Sequence, residues 1–147
     1  MPKSCSYLVW MCIFDLPNYL NPIEKGMAEH NEKGKEGEEE AIRFLREKGF
    51  LILETNWRVR KLEADIIAID KDRLVFVEVK TRSDAYMGEP EMAVTKGKQR
   101  NLIKLANEYI LKIDFKGESR FDIVTVLDQP NGKFKINHIK DAFYPLL

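Results

Sequence analysis

At 147 residues, 44% hydrophobic and 33% charged, the chain is long enough for one soluble domain with a substantial core. Twenty-four basic residues balance twenty-four acidic ones, so no global field favours nucleic acid or membrane, and a DNA-binding function must rest on local basic patches. Two cysteines, Cys5 and Cys12, have neither zinc-knuckle spacing nor partners elsewhere, which excludes a disulfide scaffold and predicts a reducing, cytoplasmic setting.

The opening stretch SYLVWMCIFDL is the only candidate targeting segment. It is too short to span a bilayer, is cut by Asp15, and lacks a small-residue cleavage site. The turn-rich PNYLNPIEKG follows, and Met27 then opens a polar lead into a helix. Residues 1–26 are therefore expected to be a loosely attached extension, or an upstream misreading of the start, and residues 27–147 the folded domain.

From about residue 34 to 48, Gly34, Glu38, Ala41, Ile42 and Leu45 share one helical stripe, with Gly49 as the C-terminal cap. The glutamates of EGEEE suit the positive end of the helix dipole; Glu38 alone lies on the core-facing stripe. Three strand-like runs follow, FLILETNWRV, LEADIIAID and RLVFVEVKTR, joined by Arg60-Lys61 and Lys71-Asp72, a pattern that predicts an antiparallel meander. The unbroken apolar run Leu74–Val77 predicts a strand buried on both faces. After the loop SDAYMGEP, the spacing predicts a second helix from about Thr95, with Leu102, Ile103, Ala106, Tyr109 and Ile110 on one side and Lys98 and Gln99 at its start. The strand RFDIVTVLD and a last edge strand or hairpin partner, KFKINHIKDAF, close the chain, with Asn131-Gly132 as the turn between them.

If the second and third strands close over Lys71-Asp72, Ile69 faces Leu74, Ile67 faces Phe76, and Asp65 faces Glu78. Opposed residues have Cβ atoms about 4.5–5.5 Å apart, so two carboxylates would converge on one spot and repel. A divalent cation between them reverses the sign, since hard oxygen ligands suit magnesium or manganese. Lys80, two residues on along the same face, can stabilise charge as it develops on a phosphate. The same register sets Glu63 opposite Lys80, so the residues alone also allow an ordinary cross-strand ion pair at a solvated strand end. Glu38, arriving from a separate element, is a third acid harder to explain by solvation. Arg58, Arg60, Lys61, Arg82, Lys96, Lys98 and Arg100 lie in segments flanking the acids, where they form either a solvated surface or contacts to a phosphate backbone. Trp57 and Tyr86 can stack on bases, or simply pack.

Asp65, then Glu78-Val79-Lys80, preceded by a helical Glu38, resembles the PD-(D/E)xK nuclease signature. More narrowly, GEEEA, LEADIIAID, LVFVEVKTR, MGEP, KQR and RFDIV in this order resemble the YraN family of small bacterial proteins related to archaeal Holliday junction resolvases, over nearly all of residues 34–143. The resemblance implies an α/β, restriction-endonuclease-like core: a mixed central sheet, with the antiparallel three-strand meander, flanked by helices. It also implies magnesium-dependent hydrolysis of DNA phosphodiesters, on branched or junction DNA in repair or recombination, and a homodimer. Carried over residue by residue, Asp65 and Glu78 would be metal ligands, Lys80 the catalytic lysine and Glu38 the accessory acid. Lys98 and Gln99 match a helix start bordering the site. Ala64 replaces the proline of the superfamily pattern and Leu62 the glycine usual in the family, which alters the backbone entering the second strand. The competing expectation is a DNA-binding or repair-assembly module on the same fold that does not cut. Arg120 and Asp122 of RFD read first as a structural ion pair.

Overall fold

The computed structural model describes residues 30–83 and 94–145; the expectations for residues 1–26, Met27, the MGEP loop and Tyr86 lie outside the described residues. Seven elements follow in order: α1 (His30–Glu47), β1 (Leu51–Val59), β2 (Leu62–Asp70), β3 (Arg73–Ser83), α2 (Lys96–Ile113), β4 (Ser119–Asp128) and β5 (Phe134–Ile139). One sheet runs in the order β1-β2-β3-β4-β5. The first three strands form the expected antiparallel meander, β4 lies parallel to β3, and β5 returns antiparallel beside β4. This is the mixed α/β sheet flanked by helices that the sequence predicts. A parallel neighbour requires a crossover, and α2 is that crossover between β3 and β4.

Helix ends follow local chemistry. At the end of α1, Gly49 takes φ +86°, its N–H donates to the Arg46 carbonyl at 2.9 Å, and the Phe50 N–H donates to the Leu45 carbonyl at 3.0 Å. That pair of bonds is a Schellman cap, which glycine forms without the Cβ penalty other residues meet in this conformation. Thr95 caps α2, its hydroxyl accepting from the Lys98 N–H at 3.3 Å. The helix α1 begins at His30, before the expected start near residue 34, because its extra first turn is polar and lies outside the apolar stripe that marks a helix in sequence.

The two faces of the sheet carry separate cores. Ala41 and Leu45 of α1 pack on Ile66, Ala68, Val75, Val77, Val79, Val124 and Val126, whereas Leu102, Leu105, Ala106 and Tyr109 of α2 pack on Ala64, Ile67, Leu74, Phe76, Phe121 and Ile123. Leu74, Val75, Phe76 and Val77 are all fully buried, because helices cover both sides of β3. Trp57 belongs to the α2-side core: its ring meets Tyr109 edge-on at 4.9 Å between centroids, and Lys112 lies over it at 5.4 Å. Its aromatic face is used for packing. Among the described residues no helix is long and apolar enough to cross a membrane.

Helix and sheet approach closely at Gly37, where an added Cβ would sit 1.9 Å from the Thr81 hydroxyl oxygen. The helix α1 therefore lies nearly flush on β3 at the turn that carries Glu38. Gly37→Ala forces helix and strand apart and is expected to cost about 1–3 kcal/mol, despite alanine's better helix propensity. Urea denaturation checks this; a stabilised alanine variant would show that the packing is loose.

Candidate functional site

The hairpin register holds from Asp70↔Arg73 through Ile69↔Leu74 and Ile67↔Phe76 to Ile66↔Val77, and the paired ladder stops there. The expected Cα pairing of Asp65 with Glu78 and of Glu63 with Lys80 does not form. Two departures in β1 and β2 accompany the break. Asn56, which would oppose Asp65, has φ +51°, and Ala64 and Ile67, an odd number of residues apart, both join the α2-side core. Strict alternation would place them on opposite faces, so the in–out alternation of β2 breaks at Asp65, while its register with β1 is the same on both sides, Thr55 opposite Ile66 and Trp57 opposite Ala64. The Asp65 carboxylate, Oδ2, instead accepts the Val79 N–H at 2.7 Å. A side chain thus takes over the backbone donor that the missing ladder pair leaves open. Beyond Val77, β3 continues paired with β4 as far as Ser83↔Asp128.

Glu63 accordingly pairs with Arg58 across β1 and β2, at 2.8 Å, and not with Lys80. Lys80 turns to Glu78, its Nζ donating to Oε1 at 2.6 Å. Glu78 is 1% exposed, which rules out the solvated strand end that the residues alone allowed. Lys98, from the first turn of α2, brings its Nζ to 3.3 Å from Glu78 Oε2. The contact lacks hydrogen-bond geometry, and Oε2 remains a buried oxygen without a hydrogen bond. Such an atom has its lost hydration only partly offset by the Lys98 charge, and an oxygen of this kind typically marks a site for water, a cation or a ligand.

Asp65 lies within the field of these groups. Burial first, then the charge of Glu78 and more weakly that of Glu38, push its carboxyl up to about 6, against the opposing Val79 N–H and Lys98. Glu38 accepts a hydrogen bond from Asn56 Nδ2 at 3.1 Å. The three predicted acids thus sit within electrostatic reach, but Glu38 is held aside. Among the described residues no three or more His, Cys, Asp or Glu side chains are gathered closely enough to hold a metal ion.

A raised carboxyl has a signed consequence. The unfolded group titrates near 3.8 and the folded one near 6, so between those values the folded state holds more protons and stability falls as pH rises. The loss is complete above about pH 6 and on the order of 2–3 kcal/mol. Asp65→Asn keeps an acceptor for the Val79 N–H without the charge. It is expected to be more stable than the wild type at pH 7 and nearly equal to it at pH 4 in chelator-treated buffer. Guanidinium denaturation across that range measures it, and equal stabilities at pH 7 would remove the repulsion argued here.

The predicted basic residues divide into two groups. Lys96, Lys98, Gln99 and Arg100 occupy the first turns of α2, and the Gln99 side-chain amide is spent on the Val94 carbonyl at 3.0 Å. Arg58, Arg60 and Lys61 lie at the β1–β2 turn. Arg60 takes φ +55° there and reaches Glu108 at 3.9 Å. Arg82 is half-buried near the end of β3. Both groups are at the end of the sheet where β2 and β3 part, alongside Asp65 and Glu78.

The sequence reading missed Asn56 and Thr125. Asn56 was legible as a residue that tolerates left-handed backbone inside an otherwise extended run. Thr125 was legible as the one hydroxyl within the apolar IVTVL of β4. The polar cluster around Arg120 was foreseen only as the pair with Asp122.

A profile described as "Uncharacterised protein family UPF0102" matches residues 37–126, which contain Glu38, Asp65, Glu78, Lys80 and Thr125. The chain belongs to the UPF0102 family. It is 47% identical over 121 residues to a UPF0102 protein of Bacteroides thetaiotaomicron, covering 82% of this chain and 99% of that one. Similarity to UPF0102 protein FP2501 of Flavobacterium psychrophilum is 49% identity over 118 residues, 80% of this chain and 98% of that one. A UPF0102 protein of Chlorobium phaeobacteroides, Cphamn1_0017, is 44% identical over 116 residues, 75% and 92% of the two chains.

Proposed function

We propose that this UPF0102 protein is a metal-dependent endonuclease that hydrolyses DNA phosphodiester bonds, with branched or junction DNA in repair or recombination as its substrate class. The observation that carries the reading is Glu78: a carboxylate 1% exposed, with one oxygen unbonded, beside a second carboxyl pushed up to about 6 and a lysine at 2.6 Å. Asp65, whose ionisation burial and the Glu78 charge oppose, beside an acid with an oxygen that makes no hydrogen bond, fits a hard divalent cation, since magnesium is commonly held by one or two carboxylates with water and phosphate completing its shell. Asp65 and Glu78 would hold it, and Glu38 would join only by leaving Asn56. Such a cation supplies charge neutralisation at the scissile phosphate and eases deprotonation of water.

The chain's own residues perform the rest. Lys80 places a positive charge where the phosphate gains negative charge in the transition state, and a preorganised charge in a partly dry site is worth more there than in water. Lys98 neutralises Glu78 before substrate arrives. The basic residues at the start of α2 and at the β1–β2 turn hold the phosphate backbone on either side of the acids, without reading base sequence. Among the described residues these basic groups are placed to meet backbone phosphates, and a selectivity for DNA shape is expected.

A second reading, a DNA-binding module that does not cut, draws on the pairing of Glu78 with two lysines and on Glu38 standing apart. Incubating the protein with labelled linear, nicked, flapped and four-way DNAs, in magnesium or manganese, separates the two. Cation-dependent cutting that is strongest on branched DNA is expected; binding without cutting on every substrate would overturn the nuclease reading.

A further inference from the structure

Thr125 is 5% exposed, and its hydroxyl is one of two buried side-chain oxygens among the described residues without a hydrogen-bond partner, the other being Glu78 Oε2. The two orphans are close in the fold. In the parallel ladder Glu78 is opposite Ile123 and Lys80 opposite Thr125, on strands spaced about 4.8 Å apart. Phe121 and Ile123 face α2, as does Phe76 of β3, so alternation sets Glu78, Lys80 and Thr125 on that same face. Nothing in the packing of β4 calls for a hydroxyl: Phe121 and Ile123, which precede Thr125 on its own face, are apolar and buried, and valine would fill the same volume.

We propose that Thr125 is a positioning residue for Lys80: its hydroxyl accepts a hydrogen bond from the Lys80 ammonium once a divalent cation engages Glu78. This inference rests on the reading of Glu78 as a cation ligand. Lys80 has three N–H donors and spends one on Glu78 Oε1. When that carboxylate turns to a cation, the ammonium is repelled by the new positive charge and loses its acceptor. The hydroxyl on the adjacent strand, already dehydrated and unpaired, is the nearby acceptor that keeps Lys80 on the substrate side of the sheet. An unpaired hydroxyl is then the resting state of a two-position lysine.

The test compares Thr125→Val, which keeps the shape and removes the oxygen, with Thr125→Ser, which keeps the oxygen. Thermal unfolding in chelator-treated buffer should show Thr125→Val as stable as the wild type or more so, because an unbonded buried hydroxyl is removed. A clear loss of stability would mean that the hydroxyl is already satisfied, for instance by an internal water, and would overturn the proposal. The second readout is independent of cleavage: the rate at which Lys80 is acetylated at fixed pH, followed by peptide mass spectrometry with and without magnesium. Magnesium should change the wild-type rate. In its presence Thr125→Val should react roughly three- to tenfold faster than the wild type, the size of one net hydrogen bond, and Thr125→Ser should match the wild type. A wild-type magnesium effect that Thr125→Val leaves untouched overturns the role of Thr125 alone. No magnesium effect on wild-type Lys80 overturns the cation reading of Glu78 together with the inference built on it.

Discussion

Lys80→Ala is expected to lower single-turnover cleavage by roughly two to four powers of ten while leaving DNA affinity within a few-fold, because the ammonium acts on charge that grows only in the transition state. The structure adds a stability effect that the sequence did not imply. Lys80 is a partner of the buried Glu78, not of Glu63, so its loss leaves that carboxylate with its ion pair to Lys98. Removing one member of a buried pair is costly, and about 1–3 kcal/mol of stability should go with it, less than a full ion-pair loss because Lys98 stays. Rates and melting curves on one preparation, with cleavage measured well below the variant's midpoint, keep the two effects apart. A purely structural lysine would shift the melting curve and leave cleavage intact, and that result would sink the mechanism proposed for this centre.

The largest effect on stability is expected at Asp122, in the polar cluster on the α1 side of β4 and β5. Asp122 is fully buried and accepts four hydrogen bonds: from Arg120 Nε at 2.9 Å and a terminal guanidinium nitrogen at 3.1 Å, from His138 Nε2 at 2.8 Å, and from the Asp141 N–H at 3.1 Å. Arg120 also donates to Asp70 at 2.8 Å, where Lys140 joins at 3.1 Å. Burial works against ionising Asp122, but the bonds from His138 and Arg120 outweigh it and hold the carboxyl below its usual range. The stability it contributes is present above about pH 4 and is lost as pH falls through the lowered value, opposite in sign to Asp65.

Asp122→Asn turns an acceptor into a donor facing Arg120 or His138. A cost of about 3–5 kcal/mol is expected, the range for an uncompensated buried charge, with a midpoint lower by roughly 10–20 °C. The double variant Asp122→Asn/Arg120→Met should be markedly less destabilised than the sum of its parts, since both charges leave together. Additive losses would show that the two residues do not act as one unit.

The elements, their order and the hairpin register near Lys71-Asp72 were legible in the sequence, because each rests on neighbours close along the chain. The unbroken Leu74–Val77 run stated that β3 is covered twice, and Gly49 and Thr95 marked their helix ends. Extrapolating the hairpin to Asp65 and Glu78 failed for a local reason with a distant cause: the alternation of β2 breaks at Asp65 beside left-handed Asn56 of β1, and β3 is held by β4 instead. Periodicity states which side of its own strand a residue occupies, but not which strand lies beside it. The sequence by itself therefore determined the sheet meander, two covering helices and a set of acids with a lysine two residues from the last. Only the tertiary structure decided that Glu78 is buried between Lys80 and Lys98, that Thr125 lies opposite Lys80, and that Asp70, Arg120, Asp122 and His138 close into one network. The contacts of Glu78 with Lys98, of Thr125 with the Lys80 position and of Arg120 with Asp70 join residues far apart in the chain, and they exist because the α2 crossover lays β4 parallel to β3, a choice made by packing both faces of the sheet at once.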